Sequence, residues 1–355
     1  MRVALDATPL ILSSGGLARY TAELSMALAR NFPEDNFILL SDQPFPMPPG
    51  HPPNLYRGGA PKNALERRWW LWGANREMRR CDCELFHGTN FAVPYIPVRP
   101  SVLTLHDLSP WMNPEWHANG GRVRRRTPPL VRLRIPTMVV THTEAVRRQV
   151  IERFRLPESL VTAVPLAASE IFRPGPAPER RPYFLYAGAL EPRKNLALAI
   201  DAWRAVRGRH LVDLVLAGRR RVDFPMPASE PGLCVIGEVA DVELAALYSG
   251  ALAVLYPSHY EGFGLPVLEA MQCGACVFTS KDPALREVAA DAGVALDTPG
   301  AWAEAMSAAT ASPDWLTGWR VKSLRRARDF SWSRTARLTR EVYGEALRRS
   351  RGRHG

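Results

Sequence analysis

Two glutamates, Glu261 and Glu269, have the clearest capacity for chemistry in this chain. They stand in the stretch from Tyr256 to Ala270, which reads YPSHYEGFGLPVLEA. An apolar, strand-like run ends at Tyr256, and Pro266 suits the first turn of a helix. The exposed N–H groups at such a helix start favour an anion such as a phosphate. Gly262 and Gly264 let the backbone come close to a ligand. Glu261 lies in the loop and Glu269 on the helix eight residues further on, so the two carboxylates cannot act on one atom. They suit opposite ends of an extended ligand, each accepting hydrogen bonds from hydroxyls. The plain alternatives are a loop charge for Glu261 and a solvated helix face for Glu269. The pair around a glycine loop is more specific than either residue alone.

A second constellation is Gly188 to Leu196, reading GALEPRKNL. A strand ends at Ala187 and a helix begins near Asn195. Arg193 and Lys194 therefore sit at the carboxyl end of a parallel strand, where α/β sheets bind ligands. An arginine and a lysine together can clamp a diphosphate; two exposed basic residues before a helix are the plain alternative. His106 also ends a strand, with Asp107 beside it. A strand-end histidine is often only a satisfied polar residue, but this position and the adjacent carboxylate raise it above that.

These residues need elements to position them. Arg2–Asp6 reads as a buried strand, followed by Ser13-Ser14-Gly15-Gly16 and a helical pattern from Leu17 to Arg30. Further strands are expected at Phe37–Leu40, Leu85–His87, Ser101–His106 and Met138–Thr141, with proline-rich loops at Pro44–Pro53 and Pro94–Pro100. The proline-rich stretch from Ile171 to Pro182 suits neither helix nor sheet interior and is expected to link two domains. The pattern then restarts. Strands are expected at Tyr183–Ala187, Leu211–Ala217, Leu233–Ile236, Ala251–Tyr256 and Cys276–Thr279, interleaved with helices at Asn195–Val206, Val242–Ser249 and Leu265–Gln272. That alternation predicts a second doubly wound domain. Thr335–Arg348 reads as a basic amphipathic helix.

With these motifs in place the chain resembles the retaining glycosyltransferases of family 4, which have the GT-B fold. Glu261 to Glu269 is similar to that family's E-x7-E motif, and Gly188 to Leu196 to its donor loop. Leu105-His106-Asp107-Leu108-Ser109-Pro110 and Asn113-Pro114-Glu115-Trp116-His117 resemble bacterial mannosyltransferases acting on polysaccharides. The opening from Leu5 to Tyr20, and Pro165-Leu166 before Phe172-Arg173-Pro174, match as well, so the resemblance covers nearly the whole chain. It departs at Thr143-Glu144-Ala145-Val146, where the family often has Ser-Glu-Phe-Ser, and at Ala275-Cys276, where it often has Thr-Pro.

The resemblance implies two doubly wound, Rossmann-like α/β domains facing a deep cleft. The acceptor-side domain would be residues 1–172, the linker 173–182 and the donor domain 183–335. Residues 336–355 would form a helix and basic tail packing back on the first domain. It implies a nucleotide-sugar donor, GDP-mannose by the motif likeness with UDP-sugars as the alternative, and a polysaccharide or lipid-linked oligosaccharide as acceptor. Arg193 and Lys194 would hold the diphosphate, Glu261 hydroxyls of the transferred sugar and Glu269 the ribose. Backbone N–H groups around Gly262, Phe263, Gly264 and Leu265 would hold sugar and phosphate, near Gly188. His106 would face the donor sugar across the cleft, and Gly15 and Gly16 would form a turn near the phosphates. Asp107 would orient His106 or touch the acceptor, and Arg19 and Tyr20 would serve the acceptor. With no D-x-D motif placed to hold a metal between phosphates, no metal and no separate cofactor are expected.

Composition narrows the alternatives. The 355 residues suit two domains, and 46% hydrophobic with 23% charged residues is ordinary globular composition. Five cysteines, including the pair Cys273 and Cys276, read as small buried hydrophobes in a reducing compartment. The N-terminus has no signal-peptide layout and no apolar run could cross a bilayer, so a cytoplasmic location is expected. The net charge of +11 is arginine-rich, with clusters at Arg122–Arg134 and Arg147–Arg155, at Arg67-Arg68 beside Trp69, Trp70 and Trp72, and in the tail from Arg348 to Arg353. An anionic membrane surface fits arginine beside tryptophan, giving peripheral attachment at the inner face. A basic membrane- or nucleic-acid-binding protein without catalysis is the rival of another class. No nucleic-acid-binding motif appears, so nucleic acid is not expected as a partner.

Overall fold

The computed structural model describes residues 1–12, 15–117, 120–225 and 227–352. Ser13 and Ser14 of the expected glycine turn, and Arg353 of the basic tail, lie outside the described residues. The chain folds as two compact units, Met1–Leu166 with Ser331–Gly355, and Ala167–Phe330.

The first unit carries strands β1 (Arg2–Asp6), β2 (Asn36–Leu40), β3 (Leu55–Arg57), β4 (Leu85–Gly88), β5 (Ser101–Thr104), β6 (Met138–Thr141) and β7 (Val161–Ala163). Its helices are α1 (Gly16–Asn31), α2 (Ala74–Arg80), α3 (Ser109–Met112), α4 (Gly121–Arg132) and α5 (Glu144–Phe154). The second unit carries β8 (Tyr183–Ala187), β9 (Asp213–Ala217), β10 (Leu233–Gly237), β11 (Val254–Tyr256), β12 (Val277–Ser280) and β13 (Gly293–Leu296). Its helices are α6 (Leu196–Arg207), α7 (Asp241–Gly250), α8 (Leu265–Gln272), α9 (Pro283–Ala289), α10 (Pro299–Ala311) and α11 (Pro313–Ala327). The last helix, α12 (Trp332–Arg351), returns to the first unit.

Both sheets are parallel, ordered β3-β2-β1-β4-β5-β6-β7 and β10-β9-β8-β11-β12-β13. Their strands read as short unbroken apolar runs because helices cover both faces and leave no polar side. In each sheet the strand order reverses once, between β1 and β4 and between β8 and β11. At such a reversal the loops leaving neighbouring carboxyl ends diverge and open a ligand site.

Side-chain caps fix several helix starts. Thr143 accepts from Val146 N–H at the start of α5, and Asp282 from Ala284 and Leu285 N–H at the start of α9. Helix α4 keeps two internal prolines, Pro128 and Pro129. Pro128 leaves the Arg124 carbonyl without its helical donor, and the Trp111 indole N–H supplies one at 3.2 Å.

Several features differ from the sequence expectation. The short strands β3, β7 and β13 were not expected. The stretch placed as a linker is built into the second unit, which begins at Ala167. Phe172 is fully buried with its ring edge-on to Tyr248 at 5.9 Å. Ser169 O accepts from Gln272 Nε2 at 2.9 Å, and Gly175 N–H donates to Ser249 Oγ at 3.2 Å. Proline excludes regular structure here but not packing. Finally, α12 begins earlier than expected, capped by Ser331, and packs on α1. Its Tyr343 hydroxyl meets His87 Nδ1 at 2.7 Å, Thr335 Oγ1 donates to Pro165 O at 2.7 Å, and Arg340 pairs with Asp35 at 2.7 Å.

Candidate active site

The reversal between β8 and β11 gathers Arg193, Lys194 and Glu261. The loop after β8 carries the two cations and the loop after β11 the carboxylate. Lys194 Nζ lies 2.6 Å from Glu261 Oε1 and 2.8 Å from the Tyr256 hydroxyl. Arg193 donates to Glu261 Oε2 at 2.9 Å, to Tyr260 O at 2.7 Å and to Glu191 Oε1 at 2.9 Å. Lys194 and Glu261 are buried, so the plain reading of two exposed basic residues does not hold. Burial opposes the charge on Glu261, yet Arg193 and Lys194 outweigh it and hold the carboxyl at about 2. Burial pulls Lys194 below the usual lysine range, against the attraction of Glu261. Asp282 stands behind this cluster, accepting from Glu261 N–H at 3.4 Å. Burial and the Glu261 charge help push Asp282 up to about 6, against the N–H donors of Leu285 and Ala284.

The loop after β11 turns into α8 through Gly264, which has φ +93°. That backbone conformation calls for glycine, and a Cβ there would also push on the end of the Leu285 side chain, 2.5 Å away at Cδ2. The backbone N–H groups of Phe263, Gly264 and Leu265 take no acceptor among the described residues. Unpaired amides at a helix start form an anion site. Glu269 is buried, not on a solvated face, and accepts from the Tyr248 hydroxyl at 3.3 Å. On the other side of β8, Gly188 and Gly218 cross closely, since a Cβ on Gly218 would meet Gly188 O at 2.0 Å.

In the first unit, His106 follows β5, next to the reversal between β1 and β4. Its Nε2 lies 2.7 Å from Thr89 O, so that nitrogen carries the proton and Nδ1 accepts. His142 Nε2 meets that Nδ1 at 2.9 Å. Burial drives His106 down to about 4, so the ring is neutral. Tyr20 packs edge-on to His106 at 5.1 Å, and its buried hydroxyl lies 3.0 Å from Thr104 Oγ1. Tyr20 therefore stands behind His106 and offers no surface to an acceptor. Asp107 does not orient His106 through a hydrogen bond; its Oδ1 accepts from Ser109 N–H and Oγ. Gly15 and Gly16 are exposed at the start of α1, Gly15 at φ +108°, and Arg19 N–H bonds Gly15 O.

The model for "Glycosyl transferases group 1" matches residues 168–316, and that for "Glycosyltransferase Family 4" matches residues 14–169. The chain is 32% identical over 284 residues to the O-antigen chain mannosyltransferase B of Escherichia coli, covering 73% of this chain and 74% of that protein. This chain is a glycosyltransferase. It is also 31% identical over 241 residues to a D-inositol 3-phosphate glycosyltransferase of Thermobispora bispora, covering 59% of this chain and 56% of that protein. Sucrose-phosphate synthase from Thermosynechococcus elongatus superposes with a TM-score of 0.75 at 18% identity, over 97% of this chain and 98% of that one. The glycosyltransferase thus has the GT-B fold of two Rossmann-like domains.

Sequence reading passed over four neighbours of these residues. Tyr256 reads in the sequence only as a strand end, though its hydroxyl meets Lys194. Asp282, before Pro283, had the signature of a helix cap but no link to Glu261. Glu191, in the loop after β8, carries no motif signal of its own and pairs with Arg193. His142 follows β6 as His106 follows β5, and this parallel placement is the signal the sequence carries for it. Cys273 and Cys276 are buried free thiols pushed up to about 12 by burial, as small hydrophobes would be.

Proposed function

We propose that this glycosyltransferase transfers mannose from GDP-mannose, with retention at the anomeric carbon, to a polysaccharide or lipid-linked oligosaccharide. The observation that carries the donor site is the Arg193–Lys194–Glu261 cluster beside the unpaired amides of Phe263, Gly264 and Leu265. An ammonium has three donors, and Tyr256 and Glu261 take two of those on Lys194. The third, with Arg193 and the amides, receives the diphosphate and stabilises its negative charge as the sugar leaves. Glu261, ionised and fixed by two cations, keeps lone pairs for hydroxyls of the sugar, while Glu269 takes the ribose.

In this reading the bond from sugar to phosphate loosens first. The acceptor oxygen then bonds the anomeric carbon from the same face, and its proton passes to a phosphate oxygen of the leaving diphosphate. Charge neutralisation by Arg193 and Lys194 takes the place of a metal. His106, neutral and locked by Thr89 O, would present its ring to the donor sugar, with Gly15, Gly16, Arg19 and Asp107 on the acceptor side. Support for mannose is the motif likeness around His106 and the likeness to the O-antigen enzyme. The arginine-rich first half fits the anionic inner face of a membrane, with the enzyme in the cytoplasm.

The test is transfer from GDP-mannose and from UDP-sugars to a lipid-linked oligosaccharide, with the product's anomeric configuration read by NMR. An α-mannoside formed in the presence of a chelator is expected. A β product overturns retention, transfer only from a UDP-sugar overturns mannose, and loss in chelator restored by magnesium overturns the metal-free route.

A further inference from the structure

A pocket of about 620 Å³ opens in the first unit, lined by none of the candidate site residues. One wall is a single face of α4 and its exit: Arg122, Arg125 and Arg126, then Pro129, Leu130 and Leu133. Their spacing of three and four residues is that of one helix stripe, and the stripe is divided along its length. Its N-terminal end is cationic and its C-terminal end apolar, over about 16 Å of helix. Trp70, Tyr95 and Ile135 close the other side. The Trp70 turn and the Tyr95 loop are tied by Tyr95 N–H to Trp70 O at 2.8 Å.

The three guanidinium groups form no ion pair among the described residues, whereas Arg80 and Arg147 of the same unit each pair with two glutamates. Arg126 lies over the Trp70 ring at 5.2 Å, and its buried Nε takes no acceptor. Leu133, at the apolar end, is 73% exposed. The charge is thus available to an anion and the apolar end to a hydrocarbon. The volume is that of a site for one small molecule.

We propose that this pocket binds one membrane lipid, with its phosphate on Arg122, Arg125 and Arg126 and the start of its acyl chain along Pro129, Leu130, Leu133 and Ile135. The proposal rests on the reading of the arginine-rich surface as membrane-facing and gives that surface one defined site. Free phosphate would leave the apolar end without purpose. Single-stranded nucleic acid calls for a run of stacking rings along a basic groove, and here the basic groove gives way to the aliphatic stretch of Pro129, Leu130 and Leu133.

The test pairs two measurements on the full chain. Co-sedimentation with phosphatidylglycerol–phosphatidylcholine vesicles reads membrane attachment. Calorimetry with decyl phosphate below its micelle concentration, against decanol and inorganic phosphate, reads the pocket. Saturable one-to-one binding of decyl phosphate is expected, with both controls much weaker. Arg122→Ala and Arg125→Ala should each weaken it about fivefold, the worth of one basic residue at an anionic surface. Leu133→Asp, a change at an exposed position, should weaken it about tenfold or more. Vesicle binding without decyl phosphate binding overturns the pocket and leaves the membrane reading standing; absence of both overturns both. Equal binding of inorganic phosphate makes this a plain anion site, and displacement of decyl phosphate by a single-stranded oligonucleotide makes it a nucleic-acid surface. Either result overturns the proposal.

Discussion

In the proposed function Lys194 is at once a donor to the diphosphate and a structural cation. It is buried with Glu261 and Tyr256, so deleting it strands a carboxylate that only Arg193 then balances. Breaking one side of a buried pair costs about 3–5 kcal/mol. Lys194→Ala should therefore abolish transfer and also lower the melting temperature of the second unit, by roughly 10 °C. The double variant Lys194→Met, Glu261→Gln removes both charges and should recover much of that stability while staying inactive. Melting curves of the two variants check this; equal destabilisation would mean that the charges are not coupled. Gly264→Ala should cost stability too, by about 1–2 kcal/mol from its left-handed conformation plus the contact with Leu285, measured by denaturant unfolding.

The elements were largely legible because parallel strands buried on both faces leave an unmistakable apolar signature. β1, β6, β8 and α8 fall where the sequence places them. The strands β3, β7 and β13 are short runs at the sheet edges, where burial is least complete and pattern weakest. Helix α4 was hidden by Pro128 and Pro129, and only the Trp111 bond shows how such a helix is satisfied. The motif carried Arg193, Lys194 and Glu261 but not their pairing, since ion pairs between loops after different strands leave no trace in spacing. Helix α12 shows the same limit: its amphipathic stripe announces a partner, and the partner residue, His87, lies far away in the chain. Tyr343→Phe leaves that imidazole without its hydroxyl partner and should cost about 1–3 kcal/mol. Tyr343→Ala adds a cavity and should cost about 3–5 kcal/mol. Chemical denaturation of the two variants checks the order.

At the scale of the whole molecule, acid should act on the two units differently. Burial holds His87 at about 3 and His106 at about 4, with His142 also well below the usual histidine range. The unfolded chain takes up protons below about pH 6.5 that these rings refuse, so the first unit loses stability as pH falls from there. Near pH 5 the loss is about 2 kcal/mol for each of His87 and His106. Asp6, which burial pushes up to about 6, opposes with a gain of about 1 kcal/mol, so the loss wins. In the second unit Glu261 stays ionised over this range, and Asp282, raised to about 6, gains stability on protonation. Calorimetry at pH 7 and pH 5 should show the transition of the first unit falling and that of the second holding.

The central claim is that the second unit binds the donor through its nucleoside diphosphate. The direct measurement is calorimetric titration of GDP, UDP, ADP and dTDP into the wild-type chain and into Glu269→Gln. The account predicts one-to-one binding that favours GDP and weakens about tenfold or more in the variant, with an unchanged melting temperature. Binding of no nucleotide, or binding that Glu269→Gln leaves untouched, would contradict it.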